Sequence, residues 1–230
     1  MLTLFHHPMS ASSRAIRLSM AEYNLHINLI EEQLWQRREE FLALNPAATL
    51  PVLLIDDNLP IIGATVIAEY LDETQGILHR DRRLFPEYPV ARAEMRRIVD
   101  WALTKLEAEV IRYTITERFT KRQMVTDKGG ASPNSTVLRV ARKNIRYHLN
   151  YLEWLAGTRN WIAGSTFTYA DLAVSAALST LDYLGEIDWE RYLILKDWYT
   201  RLKSRPSFRT LLSDRLRTLP PVSHYVDLDF

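Results

Sequence analysis

No cysteine occurs anywhere in the 230 residues. That absence excludes disulfides, thiolate-ligated zinc, thioredoxin-type redox chemistry and a cysteine nucleophile. Glycine is sparse, seven residues in all, and the pair Gly129-Gly130 follows no strand pattern, so no phosphate-cradling loop is expected. Six scattered histidines show no ligand spacing, which argues against a metal site. No apolar run reaches the roughly 18 residues of a spanning helix, and the N-terminus lacks the basic start and apolar core of a signal peptide. A cytoplasmic protein without membrane insertion is expected.

Net charge is also nearly absent, at +1, so composition does not point to nucleic acid. The 29 basic residues divide into 23 arginines and 6 lysines, and any basic patch therefore suits planar pairing with carboxylates. Hydrophobic residues make up 47% of the chain, enough for one large or two modest cores.

Leu2–Phe5 reads as a buried strand, followed by a His6-His7-Pro8 turn, a helix from about Ser12 to Tyr23 and a second strand over His26–Ile30. Val52–Ile55 and Leu59–Ile62, joined at Asp56, Asp57 and Asn58, read as an antiparallel hairpin, and Gly76 closes the next helix. The element order β, α, β, α, β, β, α is thioredoxin-like. Beyond the charged run at 79–88 the pattern becomes helical throughout. Met95, Ile98, Val99, Ala102, Leu103, Leu106 and Val110 recur at three and four, as do Val137, Val140, Ala141, Ile145, Leu149 and Leu152. Thr168 stands three residues before Asp171, the spacing of a capping box. The divisions predicted are 1–78 for the first domain, 79–88 for a linker, 89–216 for an all-helical domain and 217–230 for a tail.

Asn45-Pro46, the Leu50-Pro51-Val52-Leu53 entry into a strand, and Val66-Ile67 with Tyr70-Leu71 resemble the thioredoxin-like domain of glutathione S-transferases. The Thr168–Asp171 box after Trp161, and Trp198 through Phe208, are similar to that family's helical domain, so the resemblance spans about residues 2 to 214. It implies an α/β domain followed by an all-α bundle, the glutathione S-transferase fold. It further implies a glutathione site at Leu50, Pro51, Gly63 and Ala64, where the family usually places an acidic residue and a serine at the last two positions. Neither Gly63 nor Ala64 carries a side-chain donor or acceptor. Two lost hydrogen bonds to a charged ligand, each worth roughly 1.5–3 kcal/mol, weaken binding on the order of 100-fold or more. The site is degenerate, no cofactor is expected, and the reading is against an enzyme.

In serine-type members the thiolate partner falls at Ser10, at the start of the first helix. Ser10 is a relic position on that comparison; as a sequence feature, Ser10, Ser12 and Ser13 are helix-cap candidates. His6 and His7 have no carboxylate placed to orient them, and one is expected to face inward and the other solvent.

Partner-binding residues are sought elsewhere. Trp35 and Phe41 lie in the charged segment 31–42, where an exposed Trp beside Arg37 and Arg38 makes a binding anchor. Arg139, Arg142, Lys143 and Arg146 share one side of a helix, and Arg112, Arg118, Lys121 and Arg122 extend them into a patch suited to an acidic protein. At the C-terminus Val226, Leu228 and Phe230 alternate with Asp227 and Asp229, a period-two tail that docks in cis or on a partner. Within its family the chain resembles the bacterial cell-division branch. That resemblance implies a homodimeric adaptor that binds FtsZ filaments at the division site and supports constriction. The alternatives are a serine-type transferase acting on electrophiles and a transcription-associated relative binding RNA polymerase.

Overall fold

The computed structural model describes residues 1–56, 59–124 and 129–228. Four strands form one sheet in the order β2-β1-β3-β4. The first, β1 (Leu2–His6), pairs parallel with β2 (Asn28–Glu31) and antiparallel with β3 (Val52–Ile55), and β4 (Leu59–Ile62) closes the edge. The crossover from β1 to β2 runs through α1 (Ala11–Glu22), and α2 (Glu39–Leu44) and α3 (Ala64–Leu71) complete this layer. The hairpin residues Asp57 and Asn58 lie outside the described residues.

The second half is helical. The rod starting at α4 (Pro89–Asp100) carries on as a π-type coil over Trp101–Ile111, then α5 (Arg112–Ile115), a π-type turn over Thr116–Thr120 and α6 (Lys121–Gln123). After it come α7 (Ser135–Thr158), α8 (Tyr169–Tyr183), α9 (Leu193–Lys203) and α10 (Arg209–Leu212). The stripe read from Met95 to Val110 is buried except for half-buried Leu103, whereas Val140 points outward at 54% exposure. Val140 lies beside Arg139 on the outer face, so the inner stripe of α7 begins at Ala141.

Every residue of α8 is buried, which makes it the axis of the bundle. Its start is fixed by the capping box: Ala170 N donates to the Thr168 hydroxyl, and Asp171 Oδ2 accepts from Thr168 N at 2.9 Å. Asp171 Oδ1 also accepts from Ile162 N at 2.8 Å and from Trp198 Nε1 at 3.2 Å. One carboxyl thereby ties the turn before α8, the helix itself and α9.

Arg14 on α1 joins the two halves. It is wholly buried, and its guanidinium donates to Ser179 Oγ of α8 at 2.8 Å, Tyr225 Oη at 2.9 Å and Pro8 O at 2.5 Å. The C-terminal segment that supplies Tyr225 is not extended. Ser223–Val226 winds into a 3-10 turn that buries Tyr225 against Met9, Tyr183 and Leu184. The period-two tail is corrected accordingly: Tyr225 is the anchor, docked in cis, while Val226 and Leu228 remain 46% and 40% exposed.

Candidate functional site

A cleft of about 450 Å³ opens between the sheet domain and the π-coiled rod. Its sheet-domain wall comes from the end of β1, the start of α1 and the loops before α2 and β3: His7, Ser10, Trp35 and Leu50. Its helical wall comes from Glu107, Arg112, Ile115 and Thr116. The Leu50-Pro51 bond is cis, and Pro51 O accepts from Gly63 N at 3.0 Å.

Ser10 caps α1. Its Oγ accepts from Ser13 N at 3.2 Å, and its carbonyl accepts from Arg14 N at 2.9 Å. The capping reading of Ser10 holds, although the side chain also lines the cleft. Both His6 and His7 are buried, in place of the expected inward and outward pair, because the turn after β1 is folded over by the neighbouring helices. His7 Nδ1 accepts from Met9 N at 3.1 Å, which leaves the proton on Nε2, a buried atom without a hydrogen-bond partner among the described residues. Burial, with Arg14 adding to it, lowers His7 to about 4, and burial with Arg17 lowers His6 to about 4. Both are neutral at pH 7. His7 O accepts from Ser10 N at 3.0 Å, but neither imidazole is hydrogen-bonded to the Ser10 hydroxyl, so among the described residues no base activates it in this arrangement.

Trp35 is half-buried and lies edge-on to His7 and Phe119, with ring centroids 6.0 and 6.3 Å away. It belongs to the cleft wall. Phe41 is not a surface anchor: at 2% exposure it fills a core cluster with Phe5, Val52 and Leu54. The short helix α2 turns it inward, with Glu39, Glu40 and Ala43 on the exposed side.

Glu107 escaped the sequence reading because it stands one residue off the Leu106–Val110 stripe. It is half-buried, and one carboxyl oxygen is enclosed without a partner among the described residues. Burial pushes its carboxyl up to about 7, against the opposing pull of Arg112. The cleft is thus apolar, with a neutral imidazole on one wall and a carboxyl that is half protonated near neutrality on the other.

Gly63 caps α3 without a side chain, at φ 92, and Ala64 opens the first turn with no acidic residue. The degenerate clamp is therefore a bare helix start beside Pro51. The arginine patch divides. Arg139, Arg142, Lys143 and Arg146 are exposed on α7, but Arg142 and Arg118 both bond Glu186, and Lys121 bonds Glu117. Arg146 makes no hydrogen bond or ion pair among the described residues. Asp227 and Leu228 are exposed beyond the Tyr225 anchor, and Phe230, with Asp229, lies outside the described residues.

Residues 9–74 match the model of the glutathione S-transferase N-terminal domain, and residues 123–215 match that of the C-terminal domain. The chain belongs to the glutathione S-transferase family. Among family structures, a glutathione S-transferase from Sinorhizobium meliloti 1021 is 56% identical with a TM-score of 0.98, and each chain is covered in full. FtsZ-localized protein A of Caulobacter vibrioides is 38% identical over 99% of this chain and 98% of its own length. The structure titled FzlA from C. crescentus superposes with a TM-score of 0.91 at 37% identity, covering 100% and 99% of the two chains. Glutathione S-transferase-family relatives of both descriptions thus share the whole architecture, and fold alone does not separate a transferase from a division factor.

Proposed function

We propose that this protein is a non-catalytic adaptor of the glutathione S-transferase family that binds FtsZ filaments at the cytoplasmic division site and supports constriction. The observation that carries the reading is the full-length relationship to FtsZ-localized protein A. The cleft supports it: the clamp positions Gly63 and Ala64 offer no polar side chain, Ser10 is spent on a helix cap, and the nearby imidazoles are neutral and make no hydrogen bond to its hydroxyl. An apolar, weakly polar-lined cleft with Trp35 on its wall suits a protein side chain better than a charged tripeptide. Partner contacts are assigned to Trp35, to the α7 face carrying Arg142 and Arg146, and to the exposed end of the tail at Asp227 and Leu228. Two linked copies bridge neighbouring filament subunits by avidity, without turnover.

The test is co-sedimentation with FtsZ polymerised in GTP, alongside calorimetry with glutathione. The reading expects the protein in the pellet and glutathione binding no tighter than millimolar. A protein that stays in the supernatant and binds glutathione at low micromolar concentration sinks it. The second reading, a serine-type transferase with Ser10 stabilising the thiolate, is favoured by the S. meliloti relative and by the Ser10 side chain lining the cleft. Turnover of an electrophilic substrate with glutathione, lost in Ser10→Ala, establishes it.

A further inference from the structure

The chain turns sharply after α8. Gly185, at φ 67, has no room for a side chain, since a Cβ there would meet Val222 Cγ1 at 2.7 Å. Glu186 to Tyr192 are thereby laid beside α7, with a 3-10 turn over Trp189–Arg191. Between this segment and α7 lies a recess of about 330 Å³, which shares no lining residue with the cleft between the domains. Buried Ile145, Leu149 and Ile187 form its floor, and Arg142, Arg146, Arg191 and Tyr192 stand around it.

The charges at this recess do not balance. Glu186, whose side chain is 3% exposed, is shared by Arg118 and Arg142. Asp188 pairs with Arg191 at 2.7 Å in an exposed bridge, a kind that exchanges partners at little cost. Arg146 has no partner among the described residues. Glu153, nearby on α7, has its carboxylate on the amides of Ile194 and Leu195 at the start of α9. Four guanidiniums therefore stand against the three carboxylates of Glu186, Asp188 and Glu153, and a single positive charge is left over.

Tyr192 supplies the second unsatisfied group. The residue is only 6% exposed, yet its hydroxyl bonds no described residue and is open to the recess rather than sealed in the core. Burial raises the phenol above its ordinary value, and the positive charges of Arg191 and Arg146 pull against that, which puts both within electrostatic reach of its oxygen. A largely buried donor without an acceptor is costly, and this one lies beside an unpaired guanidinium. Both lack the same thing, an anionic acceptor.

We propose that the recess receives an acidic peptide segment of the partner protein, with one aspartate or glutamate side chain held between Arg146, Arg191 and the Tyr192 hydroxyl and a neighbouring apolar residue on the Ile145–Leu149–Ile187 floor. A single excess charge matches one carboxylate rather than the double charge of a phosphate, and the planar guanidinium of Arg146 suits its two oxygens. The apolar floor favours a peptide over a free anion. The inference rests on the proposed function for the protein that carries the segment, and names the chemistry that the α7 face reads on it.

The probe is the blocked peptide N-acetyl-leucyl-aspartyl-leucinamide, titrated into the full chain at low ionic strength and followed by NMR at the arginine Nε–Hε groups and the leucine and isoleucine methyls. Saturable shifts are expected at Arg146, Arg191, Ile145 and Leu149, and the asparagine version of the peptide should give none. Arg146→Gln should weaken binding by at least about 10-fold, and Tyr192→Phe by roughly 3- to 10-fold with the melting temperature unchanged, because the hydroxyl it removes has no partner within the chain. Arg209→Gln, which removes the same charge from exposed α10, should leave binding as it is. Equal losses in Arg146→Gln and Arg209→Gln mean diffuse attraction and overturn the proposal, as do asparagine and aspartate peptides that bind alike, full binding by Tyr192→Phe, or tighter binding by a peptide whose one carboxylate is its C-terminus. Co-sedimentation with FtsZ is read separately. A wild-type protein that binds the peptide but fails to pellet sinks the proposed partner and leaves the recess standing; one that pellets but shows no saturable shift does the reverse.

Discussion

Arg14 Nη1 donates to the Tyr225 hydroxyl at 2.9 Å, linking the first helix to a side chain five residues before Phe230. The same guanidinium holds Pro8 O, in the loop that leads to Ser10 on the cleft floor. Tyr225 Oη also donates to Leu211 O at 3.3 Å, and its ring packs edge-on against Tyr183 at 5.1 Å. The tail is thus a strap over the domain junction.

Tyr225→Phe should cost about 1–3 kcal/mol, because it keeps the ring but deprives the buried Arg14 of an acceptor. Tyr225→Ala should cost about 3–5 kcal/mol, adding a cavity where the ring was. Urea unfolding followed by tryptophan fluorescence measures both. A midpoint unchanged in Tyr225→Ala contradicts the strap.

Stability against pH has two opposing contributions near the cleft. His6 and His7, lowered to about 4 from 6.5, are protonated more readily in the unfolded chain, so their contribution is lost as pH falls from 6.5 to 4. Glu107, raised to about 7 from 4.5, holds its proton better in the folded protein, so its contribution is lost as pH rises from 4.5 to 7. Asp171, raised to about 6 by burial, acts in the same direction as Glu107, so the two pairs oppose one another from about pH 4.5 to 6; between pH 6 and 6.5 the histidines outweigh Glu107, and just above pH 6.5 Glu107 acts alone among these four. The stability maximum should lie near pH 6.5. In Glu107→Gln the decline toward pH 7 should vanish, the acid-side slope should steepen, and stability at pH 8 should rise by about 1–3 kcal/mol. Urea midpoints between pH 4.5 and 8 give the answer; parallel wild-type and variant profiles rule this account out.

Much of this fold was legible because its signals are local. Two short apolar runs joined by turn residues marked β3 and β4, spacings of three and four marked the rod and α7, and the Thr168–Asp171 box marked the start of α8. Gly63 and Ala64 were legible as a clamp without polar side chains through the family resemblance, not through a local signal. Phe41 was not, because a six-residue helix has too few positions to reveal which face is inward. Tyr225 was hidden by the alternation of its neighbours, and its true partner lies 211 residues away. Glu107 was missed because its character comes from enclosure by the opposite domain, which sequence spacing does not carry.

Arg142 and Arg146 should behave differently on charge reversal, although they are one helical turn apart. Arg142 is bonded at 2.9 Å to Glu186, a residue whose side chain is 3% exposed and which also bonds Arg118. Arg142→Glu therefore sets a carboxylate against a buried carboxylate and should lower stability by about 1 kcal/mol or more. Arg146→Glu breaks no bond among the described residues and should stay within about 0.5 kcal/mol. If this face attracts an acidic partner, Arg146→Glu should flatten the salt dependence of FtsZ co-sedimentation without a change in melting temperature. Equal stability losses in the two variants contradict the division of the patch.

Removing the tail needs two cut points, because its parts do separate jobs. Ending the chain after Pro221 deletes Tyr225 together with the 3-10 turn, so lost partner binding there reports a loosened domain junction as much as a missing contact. Ending it after Val226 keeps the Tyr225 anchor and the Arg14 bond, and removes the exposed Asp227 and Leu228 with the two residues beyond them. The longer deletion should lower the urea midpoint much more than the shorter one, which keeps the Tyr225 anchor. Tail contacts on FtsZ predict that the shorter deletion still abolishes or strongly weakens co-sedimentation. Full binding by a chain ending at Val226 makes the tail a structural strap only, and moves the partner surface to Trp35 and the α7 face.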